Sequence, residues 1–288
     1  MTSSAMEAEI FFSSYLPTAL ERALRYAGED GFVASLPQLL HARVSADYSN
    51  VIWNNWFKPN SEESVMCTPA GNNVLVTIHG GGIFGNPNRF EKLFRADTSR
   101  HSDISFTGLF AGKLTSQEVR DVLSGRLPCG TEFPVYDYVN FKDGISNLPL
   151  RYAVVMDFEL AARSPVGYVE FELLREDPLM IVRGGGVEAT SAYLQKAQAR
   201  HNTDRMGSWH PLNMIMDKSQ GQTCVPDLAG NTGGRDSDLD DFHLWGMDSD
   251  YGIGADGNTN STSMINIARY VAVAPRQTSR IVRNLSFG

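Results

Sequence analysis

The spacing of apolar and polar residues changes several times along this chain, and each change marks an element. Over residues 16–27, LPTALERALRYA, apolar side chains recur at helical spacing behind Pro17, and Gly28 to Gly31 end the run. This is a helix with proline in its first turn. The same kind of pattern predicts helices over Val33 to Val44, 88–97, Leu114 to Leu123 and Glu188 to Arg200. The helix at Leu114 has the clearest ends: Thr115 stands three residues before Glu118, a capping box, and Gly125 sits where a left-handed terminal glycine belongs. Val65 to Thr68 and Asn73 to Ile78 flank a Pro-Ala-Gly-Asn turn and read as a β-hairpin. Further strands are expected over Phe133 to Val139, 151–160, 167–174, 178–183 and Ile265 to Ala274, with another over 279–287. Residues 1–8 read as a loose tail, and Trp53 and Trp56, three apart, as core residues. Strands outnumber crossover helices in the middle of the chain. The expected fold class is therefore α+β: a largely antiparallel sheet with flanking helices, in a single domain.

Composition narrows the functional classes. At 288 residues, with 42% hydrophobic and 20% charged residues, the chain has the makings of a folded core. The formal charge of −8 and a pI near 5.3 leave no basic surplus for nucleic acid. No apolar run reaches the roughly 18 residues of a membrane span, and no secretory signal is visible, so a cytoplasmic protein is expected. Cys67, Cys129 and Cys224 are odd in number and far apart, which suits reduced thiols rather than a disulfide frame.

The densest candidate chemistry lies in VLVTIHGGGIFGNPNRFE, Val74 to Glu91, where a strand runs into His79 and three glycines. Glycines here allow positive φ or close approach to the backbone, and exposed amides bind anions or carbonyls. The string resembles an esterase oxyanion loop, but no G-x-S-x-G elbow accompanies it, so that hydrolase class is set aside. Glu91 is the carboxylate nearest the loop in sequence; partial burial would raise its pKa and suit it to acid and base roles. Otherwise it is an exposed glutamate at a helix start. Arg89 and Arg183, the latter before a second triple glycine, are candidate clamps for a carboxylate. Trp209 and His210 lie near the start of an irregular stretch, Met206 to Asn260, rich in Gly, Asp and Asn. The histidines show no zinc spacing. Asp236, Asp238, Asp240 and Asp241 lack the glycine and glutamate of an EF-hand loop and read as a solvated acidic loop, with another kind of cation site as the alternative. Gly252 to Gly257 matches a dinucleotide fingerprint only literally, with no strand before it and no helix after it.

Taken with DPLMIVRGGGVEA (Asp177 to Ala189), WHPLN (Trp209 to Asn213) and RYVAVAP (Arg269 to Pro275), the HGGG loop and Glu91 resemble the microbial β-carboline-forming Pictet–Spengler cyclases from about residue 65 onward. The resemblance implies a homodimer with no metal and no organic cofactor. It implies condensation of tryptophan or a related indole-ethylamine with an aldehyde. By the same resemblance Glu91 is the acid/base and His79 a supporting polar residue, while Arg89, Arg183, Trp209 and His210 hold substrate. The match departs in two places: eleven residues separate His79 from Glu91, more than in that family, and Val65, Met66 and Cys67 stand where the family carries an arginine. The second expectation is a non-catalytic small-molecule-binding or assembly protein, whose glycine loops are tight turns.

Overall fold

The computed structural model describes residues 6–13, 16–54, 57–97, 114–201, 204–210, 222–224, 227–228, 243–245 and 268–275. The first half of the chain forms β1 (Met6–Ser13), α1 (Leu16–Ala27), β2 (Phe32–Val33), α2 (Leu36–Ser45), α3 (Val51–Asn54), β3 (Ser61–Cys67), β4 (Asn73–His79), α4 (Pro87–Asp97), α5 (Ser116–Leu123), β5 (Val135–Asp137) and α6 (Tyr138–Phe141). The second half forms β6 (Tyr152–Asp157), α7 (Phe158–Ala162), β7 (Gly167–Glu170), α8 (Phe171–Glu176), α9 (Pro178–Gly184), α10 (Val187–His201), β8 (Arg205–Trp209), β9 (Gln222–Cys224), β10 (Asp227–Leu228), β11 (His243–Trp245) and β12 (Ala268–Pro275).

The described strands form three sheets, in the orders β1-β12-β2, β10-β11-β8-β7 and β5-β6-β4-β3-β9. Only β5 with β6 and β11 with β8 run parallel; the other pairings are antiparallel. The fold is thus α+β with largely antiparallel sheets in a single domain, as the sequence pattern predicts. The central hairpin runs in unbroken register from Ser61↔His79 to Cys67↔Asn73. Both of its strands are buried along almost their whole length. That burial explains why neither strand shows a clean alternation of apolar and polar residues.

The β1-β12-β2 sheet has two different faces. Opposed residues of an antiparallel pair share a face. Phe11 lies opposite Tyr270, and Ala272 lies between Glu9 and Val33. Phe11, Tyr270, Ala272 and Val33 pack with Ala19, Leu20 and Ala23 of α1 in one apolar cluster. On the other face Ala8, Val273 and Phe32 line up, with Ile10 beside Val271. This second face looks toward α2 and α3.

Several sequence expectations need correction. Residues 6–8 belong to β1 rather than to a loose tail. The apolar run 178–183 is helix α9, not a strand. Asp177 caps it by accepting the Met180 N–H at 2.8 Å, Pro178 occupies its first turn, and Gly185 ends it at φ 92°. The strands expected over 151–160 and 167–174 stop early, at Asp157 and Glu170, where α7 and α8 begin. Asp157 caps α7 through the Leu160 N–H at 3.0 Å, and that bond favours a turn over another residue of ladder. Trp53 is fully buried. Trp56, the 279–287 strand, the acidic residues Asp236, Asp238, Asp240, Asp241, Asp248 and Asp250, and the Gly252 to Gly257 string lie outside the described residues.

Candidate functional site

The amides of the HGGG loop face an anion, and the anion is the protein's own. Glu62, on β3, sends Oε1 into the loop, where it accepts N–H bonds from Gly82 (3.2 Å), Phe84 (2.6 Å) and Gly85 (2.9 Å). An exposed glycine loop would offer these donors to a substrate carbonyl or phosphate; here they are taken. The glycines fit the arrangement closely. A Cβ on Gly82 would lie 2.4 Å from Glu62 Oε2, and Gly80 holds φ 84° with the Leu150 carbonyl 2.1 Å from where its Cβ would stand. Glu62 is fully buried, and burial pushes its carboxyl up to about 7, against the pull of the Phe84 and Gly85 amides. Among the described residues its Oε2 has no hydrogen-bond partner. The glutamate on which the glycine loop closes is Glu62.

His79 is sealed in the same region. Its Nε2 lies 3.1 Å from the Val182 carbonyl, which can only accept, so Nε2 carries the proton. Nδ1 must then accept from Ser61 Oγ at 2.9 Å, while Ser61 Oγ accepts the Leu36 N–H at 2.9 Å. One relay thus ties the start of α2, strands β3 and β4, and helix α9. Burial holds the imidazole down at about 4, so it is neutral at ordinary pH. The side chain has no exposed surface and its tautomer is fixed. This is the position of a structural histidine.

Arg183 ends α9 beneath the same hairpin. Its Nε and Nη2 donate to Glu63 Oε1 and Oε2 at 2.6 and 2.8 Å, a bidentate pair with 1% and 0% of the two side chains exposed. It is a clamp on a carboxylate, as the sequence suggested, but the carboxylate is internal. His210 lies nearby. Its Nε2 donates to the Ser164 carbonyl at 2.9 Å, and Ser164 Oγ donates to Asp177 Oδ1 at 2.6 Å. Burial lowers the His210 pKa and raises that of Asp177. Glu62, Glu63, His79, Arg183, Asp177 and His210 are thus buried polar groups that join β3 and β4 to α9 and the chain around it.

The remaining candidates lie elsewhere. Glu91 and Arg89 are on α4, where Arg89 pairs with Glu118 of α5 at 3.3 Å and lies over the Phe84 ring. Trp209 ends β8 and pairs in register with Trp245. None of the six predicted site residues lines the large cleft bounded by α2 and the β1-β12-β2 sheet. That cleft has a volume of about 660 Å³ and lies over the second face of the sheet. Ala8, Ile10, Phe32, Val271 and Val273 form its floor, and α2, α3, the 148–150 loop and Gly184 to Gly185 its walls. Its polar groups are few: Ser35, Gln38, His41, Asn50 and Tyr152. The sequence reading missed this cleft and missed Glu62. The cleft has no motif, and its only signal was the alternation Met6-Ala8-Ile10-Phe12 in a stretch partly taken for a tail.

Among the described residues, no three His, Cys, Asp or Glu side chains converge as a metal site would require. No described helix is long and apolar enough to cross a membrane. No family model and no curated protein matches the chain. One solved structure, described as showing how the C-type lectin fold accommodates massive sequence variation in Nanoarchaeota, superposes with a TM-score of 0.59. The match covers 95% of this chain and 100% of that one at 20% identity. At that identity the likeness shows the fold alone: the chain has the C-type lectin fold.

Proposed function

We propose that the chain is a non-catalytic binding protein that takes an apolar ligand into the cleft over the β1-β12-β2 sheet. One observation carries this reading: access and reactive chemistry are separated. Glu62, His79 and His210 are buried and bonded to backbone and hydroxyl groups of the protein, and Glu63 is held by Arg183. The open cleft has an apolar floor, with His41 and Tyr152 as the titratable side chains among the described residues that line it. Its volume falls within the roughly 300–1,000 Å³ of small-molecule sites. The solved neighbour's fold accommodates massive sequence variation, and a scaffold fixed by a sealed polar core leaves its outer surface free to vary in the same way. A cyclase that condensed an indole amine with an aldehyde would need Glu91 beside such a cavity, and Glu91 is on α4, away from the cleft lining.

Titration with the neutral fluorophore N-phenyl-1-naphthylamine tests the proposal. Saturable binding is expected, weakened about tenfold in Ala42→Trp, which fills the cleft from α2. Incubation with tryptophan or tryptamine and an aldehyde is expected to give no β-carboline above an enzyme-free control. Product that disappears in Glu91→Gln would overturn the reading.

A further inference from the structure

The cleft opens beside a strand that, among the described residues, is paired on one side only. Among the described residues β1 is an edge of its sheet, bonded to β12 on one side only. Alternate residues of an edge strand direct their N–H and C=O groups outward, ready to pair with another chain. Met6, Ala8, Ile10 and Phe12 share the face that floors the cleft. Met6 is 50% exposed and Phe12 58%, and across the opening Val51 and Leu150 are 50% and 54% exposed. An apolar patch of this kind along a free edge marks a docking surface.

We propose that β1 takes an added strand: an extended peptide with apolar side chains at alternate positions and basic side chains between them. This rests on the binding-protein reading above and names its partner. Side chains alternate across a sheet, so every second residue of the incoming strand would sit on the cleft face, next to Met6, Ala8, Ile10 and Phe12. The residues between would adjoin the opposite face, where β1 presents Glu7 and Glu9. Both are exposed. Their partners on β12 are Ala274 and Ala272, which carry no charge. Neither glutamate makes an ion pair with a described residue. Cationic side chains at those positions complement them.

In the registers centred nearest the glutamates, the same two residues disfavour a second copy of this chain. Antiparallel self-pairing must keep like faces together. Centred on Ala8 it sets Glu7 against Glu9, and centred on Glu9 it sets that residue against its own copy. Like charges directly opposite are destabilising.

The test uses the whole chain and fluorescein-labelled octapeptides read by polarisation. The probes are alternating Val and Lys, the same residues in block order, alternating Val and Glu, and alternating Val and Lys with every second amide N-methylated. The alternating Val-Lys peptide is expected to bind, less tightly in high salt. The other three are expected to bind about tenfold more weakly or not at all, as is the first peptide with the Glu7→Lys/Glu9→Lys variant. That variant should still bind N-phenyl-1-naphthylamine, which shows its cleft intact. Equal binding of the block-order or Val-Glu peptide overturns the proposal, as does indifference to the charge reversal or a dimer by light scattering that the reversal alters. If the fluorophore binds and no peptide does, strand addition fails alone. If neither binds, the binding-protein reading fails with it.

Discussion

The buried polar groups between the central hairpin and α9 contrast with the cleft over the β1-β12-β2 sheet. The first region holds three side chains that look reactive in the sequence, His79, Arg183 and His210, together with the acidic pair Glu62 and Glu63. All are buried and bonded to other protein groups. The second holds alanine, valine, isoleucine and phenylalanine on an open floor. In the first region the ionisable groups bond within the fold; in the second the open floor offers shape and apolar area. The contrast predicts that substitutions in the first region cost stability, while those in the cleft cost binding.

The largest effect is expected from Arg183→Met, which leaves Glu63 charged and unpaired in the interior. Breaking such a pair from one side costs about 3–5 kcal/mol. Urea denaturation should show this loss, with much of it recovered in the double variant Glu63→Leu/Arg183→Met. If the single variant is as stable as the parent, the pair is not the anchor its geometry implies.

Gly82→Ala comes next. Its Cβ would meet Glu62 Oε2 at 2.4 Å, and burial leaves the carboxylate little room to withdraw. A cost of roughly 1–3 kcal/mol is expected, the usual range for overpacking. Gly71→Ala makes a useful contrast, since a Cβ there meets nothing within 4 Å and only its φ of 85° opposes the change.

A pH series separates Glu62 from His79. Glu62 titrates near 7 in the folded protein against an ordinary 4.5. The unfolded chain gives up that proton first, so this group's contribution is present at low pH and lost as pH rises toward 7. His79 titrates near 4 against an ordinary 6.5. The unfolded chain takes up that proton first, so its contribution is present above 6.5 and lost as pH falls toward 4. Between about 4.5 and 6.5 the two slopes oppose each other, as do the raised Asp177 and the lowered His210. Stability of the parent should be nearly flat in that window. Glu62→Gln should then lose stability on acidification by roughly 1 kcal/mol per pH unit, and His79→Gln should gain by a similar amount. Slopes of the same sign in both variants would refute the assignment.

The smallest effect on stability belongs to the cleft. Ala42→Trp, though it should abolish most fluorophore binding, is expected to shift stability by no more than about 0.5 kcal/mol. A loss as large as that of Arg183→Met would remove the distinction between the two regions.

Local signals explain which parts of the fold were legible in the sequence. Thr115 and Glu118 form the predicted reciprocal cap, with Glu118 N–H to Thr115 Oγ1 at 3.2 Å and Thr115 N–H to Glu118 Oε2 at 2.7 Å. The helix at 16–27 and the central hairpin also appear where turn residues and periodicity put them. Helix α9 was misread because a run buried on every side has no period, even though Asp177-Pro178 and Gly185 carried its end signals. The site was less legible because its contacts are long-range. Glu91 stands near the glycine loop in sequence, but the loop closes on Glu62, a strand earlier, through β3–β4 pairing. Arg183 was read as a carboxylate clamp, and its partner, 120 positions away, left no local pattern.

The pairing of β1 with β12 also governs when the molecule can finish folding. Ile10 faces Val271, more than two hundred positions downstream. At a synthesis rate of roughly 5–20 residues per second, the ribosome needs tens of seconds to supply that partner strand. Until then β1 lacks the strand it pairs with, and the apolar face it shares with β12 is incomplete on the nascent chain. Strand-binding chaperones would have their clearest target there, and slow translation of the later segments would lengthen the exposure.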